Sequence, residues 1–180
     1  MTHLFAAMLL AGGRSHRMGQ DKAFLKWEGS CLWQIQLNQL LALNPSRMIL
    51  SCREEQQQQF APADSRIEWF LDPPDFQLGP LGIIERVLRV VQMPLLVLAV
   101  DMPRMTADFM REAFLNTQNR DRGRCFLSGS GLEPLAALYV PSMLPILEES
   151  LKTDQLSLQK LLNKAHDLGL IDIQTTTDQQ

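Results

Sequence analysis

The sequence predicts an α/β protein, a sandwich of helices around a mostly parallel central sheet. Three observations carry that reading. Short apolar runs alternate with amphipathic stretches along all 180 residues, the pattern of strands packed against helices. The run at residues 94–100 is apolar on both faces, as in a parallel strand covered from both sides. A glycine-rich, basic turn follows directly on the first apolar run, the place where open α/β sheets bind ligands. No linker, repeat or shift in composition interrupts the alternation, so the expectation is one domain over residues 1–180, long enough to bury a real core.

In chain order, residues 4–10 form the first buried strand and residues 32–43 a helix with an apolar stripe at Leu32, Ile35, Leu40 and Leu43. Residues 47–51 and 67–71 are the second and third strands, and the glutamines at 56–59 between them are the solvated face of a helix. A helix over 81–91 leads to the clearest strand, 94–100. Residues 107–115 form a helix, with Thr106 as its cap and Asp108 where an acid suits a helix start. A strand at 135–140, a helix at 155–165 and a last strand at 170–173 complete the series.

Residues 10–22 read Leu-Ala-Gly-Gly-Arg-Ser-His-Arg-Met-Gly-Gln-Asp-Lys. Gly12, Gly13 and Gly19 let backbone N–H groups approach a ligand closely and permit positive φ. Successive N–H groups in such a turn make an anion-binding nest, and Arg14, Arg17 and Lys22 add cationic charge. The guest this points to is a polyphosphate. The loop is not a Walker loop, because five residues separate Gly13 from Gly19 and Gln20-Asp21 intervene before Lys22. Nor is it the dinucleotide fingerprint, because Gly12 and Gly13 are adjacent.

Asp101 ends the most apolar strand and is followed by Met102-Pro103. An ionised carboxylate there needs a partner to offset desolvation. Beside phosphates the partner is Mg²⁺, which favours a carboxylate with phosphate oxygens and waters. A helix-capping or turn aspartate is the other reading. Asp72, after the third strand, either meets a ribose or base edge or opens the Pro73-Pro74 turn. Gly79-Pro80-Leu81-Gly82 either lets a nucleotide lie close or punctuates a helix start. In a parallel sheet all these strand ends share one edge, so the features can converge. His3, His16 and His166 have no metal-ligand spacing, and no Gly-x-Ser-x-Gly elbow is present. Glu133-Pro134 lies before a strand, as an acceptor contact or a turn carboxylate.

The formal net charge of −3 offers no broad basic field for nucleic acid. Cys31, Cys52 and Cys125 are widely spaced and cannot all pair within the chain, which suits a reducing cytoplasm. The first apolar run lacks the basic lead of a signal peptide, and no run approaches the roughly 20 residues of a membrane span.

These residues together resemble a known family. The N-terminal Leu-Ala-Gly-Gly-x-Ser-x-Arg-Met-Gly-x-Asp-Lys resembles the signature of a nucleotidyltransferase superfamily. Within it the chain is most similar to the molybdenum cofactor guanylyltransferases. Asp72 before Gly79-Pro80-Leu81 resembles the middle motif, and Asp101-Met102-Pro103 the metal-binding turn. The sequence from Glu133 to Tyr139 and that from Ser157 to Leu162 resemble the C-terminal half. The resemblance implies a three-layer, Rossmann-like sandwich and Mg²⁺-dependent transfer of GMP from GTP to the molybdenum–molybdopterin cofactor. Proteins of molybdoenzyme maturation would be partners. By position, Leu10, Ala11, Gly12 and Gly13 would hold the nucleotide through the backbone, Lys22 its phosphates, Asp72 its nucleoside part and Asp101 the Mg²⁺. Three segments depart from the family pattern. Gly82-Ile83-Ile84 replaces a small residue-Gly-Ile sequence, Ser51-Cys52-Arg53 stands where an Asn often follows the second strand, and Gln174-Thr175-Thr176 replaces Asn-Thr-Pro.

The implied reaction is attack by a terminal phosphate on the α-phosphorus of GTP, expelling pyrophosphate. The nucleophile is largely ionised at neutral pH, its second pKa being about 6, so no protein base is required. Arg17 and Lys22 would compensate charge growing on the leaving group. The rival within enzymes is a cytidylyltransferase acting on the same cofactor or on a sugar acid. The rival outside them is a non-catalytic GTP-binding module.

Overall fold

The structure is a computed structural model and describes residues 4–13, 21–60, 64–72, 78–116, 119, 121–129 and 131–175. Its centre is a seven-stranded sheet of β1 (Ala6–Leu10), β4 (Arg47–Arg53), β5 (Ile67–Asp72), β6 (Leu95–Ala99), β7 (Gly123–Ser128), β8 (Gly131–Tyr139) and β9 (Ile171–Thr175). The spatial order is β5-β4-β1-β6-β8-β7-β9. β8 runs antiparallel to both its neighbours, and every other pairing is parallel. The mostly parallel sheet of the sequence reading is therefore what forms.

Period-two alternation divides the core into two layers. Ala7 and Leu9 of β1 face one side with Leu96 and Leu98 of β6, where α1 (Leu32–Leu41) and α3 (Ala107–Met110) cover them. Ala6 and Met8 face the other side with Leu95 and Val97, beneath α2 (Gly79–Val91), α4 (Leu144–Lys152) and α5 (Leu158–Asp167). Both faces of β6 are sealed, as a run of apolar residues from 94 to 100 requires. Helix ends follow local chemistry. Pro80 occupies the first turn of α2, where its missing N–H costs nothing. The Thr106 hydroxyl accepts from the Phe109 N–H at 3.3 Å, so the predicted cap of α3 is present. No helix among the described residues is long and apolar enough to cross a membrane.

Several elements differ from the sequence reading. A two-residue hairpin, β2 (Lys26–Trp27) and β3 (Ser30–Cys31), turns through Glu28 and Gly29, both at positive φ, as the tight turns between hairpin strands demand. β7 and α4 were not anticipated. β7 is a short run broken by Arg124, and α4 carries Pro145, which its first turn tolerates. The expected helix at 107–115 is α-helical only to Met110 and continues as a wider π turn to Leu115. Gln56 corrects the solvated glutamine face. It is fully buried, and its Oε1 accepts from the Arg53 N–H at 3.1 Å. The strand expected at 135–140 begins earlier, at Gly131, so Glu133 and Pro134 lie within β8 rather than in a turn.

Gly123 marks the tightest strand contact. A Cβ there would lie 2.5 Å from the Leu138 carbonyl oxygen, a backbone atom that cannot swing aside. Gly123→Ala should lower unfolding free energy by about 1–3 kcal/mol, the usual cost of overpacking. Urea denaturation reads this directly, and an unchanged midpoint would contradict it.

Candidate active site

β1 and β6 are adjacent and parallel, with Leu10 paired to Ala99. The chain continues from β1 to β4 on one side, and β6 lies on the other. Strand order thus reverses at this point, and the crevice beyond the strand ends is where such sheets take ligands. The pairing runs one step past both strands. The Val100 N–H donates to the Leu10 carbonyl at 3.1 Å, and the Ala11 N–H donates to the Ser51 carbonyl at 2.8 Å. Ala11 therefore spends its N–H on the sheet, and the backbone leaves the sheet at Gly12.

Gly12 is there for close approach. Its missing Cβ would sit 2.5 Å from Asp72 Oδ2. Neither Gly12 nor Gly13 takes the positive φ that glycine permits. A Cβ on Gly13 would meet nothing within 4 Å, so that position faces open space. Arg14, His16, Arg17 and Gly19 lie outside the described residues, as do His3, the Pro73-Pro74 turn and Thr176.

Lys22 opens a short 3₁₀ turn, Lys22–Phe24. Ala23 is buried in the core beside α1, and Phe24 packs on Phe60 with ring centroids 4.8 Å apart. That anchorage brings the Lys22 ammonium to Asp101, with Nζ 2.6 Å from Oδ2 across 79 residues of sequence. Both side chains are 42% exposed. An ion pair so wet adds at most about 1 kcal/mol, so its two groups are available to a charged ligand at small cost. The segment after Asp101 is held from behind. The Gln36 amide of α1 donates to the Met102 carbonyl, and Gln39 Oε1 accepts from the Ala107 N–H at 2.6 Å.

Asp72, the last residue of β5, accepts from the Ser51 hydroxyl at 3.1 Å. Burial raises its carboxyl pKa above the ordinary value, opposed by the Ser51 hydrogen bond and the charges of Arg86 and Arg53, with Glu55 adding to the rise. The sequence reading missed Arg53. Its guanidinium reaches the Gly12 carbonyl and the Asp21 carboxylate. Glu133 takes a hydrogen bond from the Ser128 hydroxyl at 2.5 Å. Leu98 pairs with Ala136, so the start of β8 runs past the end of β6 on the edge that carries Asp101. Gln174 belongs to β9, four strands from β1 and so about 19 Å across the sheet. Gly79 to Gly82 form the first turn of α2, as helix punctuation.

A rim with one exposed carboxylate beside a lysine and the open Gly13 suits a phosphate-bound divalent ion. Among the described residues no cluster of three or more His, Cys, Asp or Glu side chains could hold a metal alone. Mg²⁺ fits such a donor set, since it uses one or two carboxylates and takes its other ligands from phosphates and waters.

The Asp72 shift has a defined sign. A carboxyl raised above its ordinary 3.8 binds its proton more readily in the folded state. Stability therefore falls as pH rises through the folded-state pKa. Asp72→Asn keeps an oxygen for the Ser51 hydroxyl and removes the charge. It should be more stable than the parent at pH 7, with the gain fading as pH falls through the folded-state pKa and gone below the ordinary 3.8. Urea titrations at both ends of that range check this, and a gain that grows as pH falls would contradict it.

A family model described as a MobA-like NTP transferase domain matches residues 7–168. A protein from Opitutus terrae named probable molybdenum cofactor guanylyltransferase is 29% identical over 161 residues, covering 87% of this chain and 77% of its own. A molybdenum cofactor guanylyltransferase from Pseudomonas putida is 28% identical over 166 residues, covering 91% and 84%. The solved molybdopterin-guanine dinucleotide biosynthesis protein A from Archaeoglobus fulgidus has a TM-score of 0.71 at 19% identity, covering 94% of this chain and 83% of that one. A 4-diphosphocytidyl-2C-methyl-D-erythritol synthase from Anaerococcus prevotii has a TM-score of 0.70 at 10% identity, covering 97% and 87%. These two likenesses show the Rossmann-like fold alone. The family match spans the glycine turn, Lys22, Asp72 and Asp101, and the chain belongs to the MobA-like NTP transferases and is a nucleotidyltransferase.

Proposed function

We propose that this enzyme transfers GMP from GTP to the molybdenum–molybdopterin cofactor, yielding the guanine dinucleotide form and pyrophosphate, with Mg²⁺ held at Asp101. The observation that carries the proposal is the meeting of Lys22 and Asp101 at 2.6 Å, on the rim where Gly12 and Gly13 leave the sheet. The choice of GTP and of the pterin acceptor rests on the relatives' names.

In this reading an oxygen of the acceptor's terminal phosphate bonds to the α-phosphorus of GTP. The bond from that phosphorus to the bridging oxygen breaks, and pyrophosphate leaves with the electron pair. The acceptor phosphate is already ionised near neutral pH, so the protein supplies position and charge. Gly12 and Gly13 admit the phosphates close to the backbone, next to the strand end formed by Leu10 and Ala11. Lys22 turns its ammonium from Asp101 to the phosphates and balances charge on the departing pyrophosphate, with Arg17 proposed as a second cation. Asp72, beside Gly12, meets the nucleoside. Mg²⁺, when bound, neutralises phosphate charge, and Asp101 is the carboxylate that would hold it. Partner proteins of molybdoenzyme maturation and a cytoplasmic setting belong to the same proposal.

The test is pyrophosphate release from GTP and from CTP with the pterin acceptor. GTP should be the preferred donor. A CTP preference would make the enzyme a cytidylyltransferase, and tight GTP binding without turnover would make it a binding module. Lys22→Ala and Asp101→Ala should each lower turnover on the order of a hundredfold or more. Their circular dichroism should match the parent's, because an exposed ion pair contributes little to folding. Near-parental turnover in either variant would remove that residue from the mechanism.

A further inference from the structure

Arg53 ends β4, beside β1. Its side chain is only 15% exposed, and all three of its nitrogens are engaged. Nη1 donates to the Gly12 carbonyl at 2.6 Å. Nη2 donates to both Asp21 carboxylate oxygens at 3.0 Å. Nε donates to Glu55 Oε1 at 2.8 Å. The backbone beneath it is fixed as well, since the Arg53 N–H donates to the buried Gln56 side chain.

The partners of this guanidinium stand on either side of the glycine-rich segment in sequence. Gly12 is the last residue before the open Gly13, and Asp21 directly precedes Lys22. One planar group therefore ties the point where the chain leaves β1 to the point that carries the lysine. Two carboxylates, Asp21 and Glu55, compensate its charge, so Arg53 is not a spare cation for phosphate. A lysine could not replace it, because a single ammonium lacks the fork that serves a carbonyl and a carboxylate together.

We propose that Arg53 is a positioning residue of the nucleotide site, acting through Gly12 and Asp21 to set the backbone at Gly12 and Gly13 at a fixed distance from Lys22. The proposal rests on reading Gly12, Gly13 and Lys22 as the grip on the triphosphate. Hydrogen bonds to charged groups of this kind correspond to about tenfold or more in affinity when lost.

The experiment is a double-mutant cycle on GTP binding, measured by calorimetry, together with steady-state kinetics. The variants are Arg53→Met, Asp21→Asn, their combination and Arg53→Lys. Each single variant should weaken GTP binding about tenfold, and the combination should bind no more weakly than the worse single. KM for GTP should rise with kcat within about threefold, the mark of a grip equal in ground and transition states. Arg53→Lys should not restore binding. Losses that multiply in the double variant would overturn the proposal, as would unchanged GTP affinity in folded variants. Loss in Arg53→Met with none in Asp21→Asn would show that Asp21 has no part in it, and overturns the tie between the two ends too. If Arg53→Met does not fold, Arg53→Lys and Asp21→Asn carry the comparison. A parent protein that fails to bind GTP overturns the functional reading and the proposal with it, whereas a parent that binds GTP beside unaffected variants overturns the positioning role alone.

Discussion

The site depends on the parallel pairing of β1 and β6. With Leu10 set against Ala99, both strands end at the same edge of the sheet, and the segments that follow them must emerge side by side. That is why a lysine and an aspartate 79 residues apart meet at 2.6 Å. The pairing survives because both faces of β6 are buried. A slip of one residue would exchange the side chains destined for α1 and α3 with those destined for α2, α4 and α5, and the core would not tolerate it. The geometry of two wet, polar side chains is thus held by apolar packing on both sides of the sheet.

Around that pair the charges are arranged by purpose. Asp101 and Lys22 are exposed and matched to one another, so each can turn to a ligand of opposite sign at low cost. Arg53 and Asp21 are more deeply set and matched to one another, which suits a fixed strut. Asp72 sits in a partly buried corner whose shape requires the absence of a side chain at Gly12. Gln36 and Gln39 lend amide groups from α1 to steady the segment after Asp101. Phosphoryl chemistry with an ionised nucleophile asks for positioning and charge, and among the described residues this rim offers both without a histidine.

The strands nearest the site were legible because each is a continuous apolar run followed by an abrupt change of chemistry. Residues 94–100 and then Asp101 are the clearest instance. The glycine turn was legible because three glycines and three cations crowd into thirteen residues. Close approach is the property that Gly12 uses, while Gly13 faces open space and neither takes positive φ. Arg53 was not legible as a strut, because Gly12 and Asp21 lie 41 and 32 residues away from it in sequence. Gln56 was hidden by composition, one buried glutamine in a run of four. The hairpin at 26–31 had a signal in Glu28-Gly29, an echo of the Asp-Gly turn type. β7 and α4 had weaker ones, because the apolar run of β7 is only Cys125 to Leu127 and Pro145 stands in the first turn of α4.

A crystal structure of the enzyme with GTP and Mn²⁺, located by its anomalous scattering, tests the central claim most directly. The account predicts that the triphosphate lies along Gly12 and Gly13, with Lys22 Nζ on a phosphate oxygen and the metal on the Asp101 carboxylate. A nucleotide bound elsewhere, or one bound with the Lys22–Asp101 pair still closed and no metal on Asp101, would contradict it.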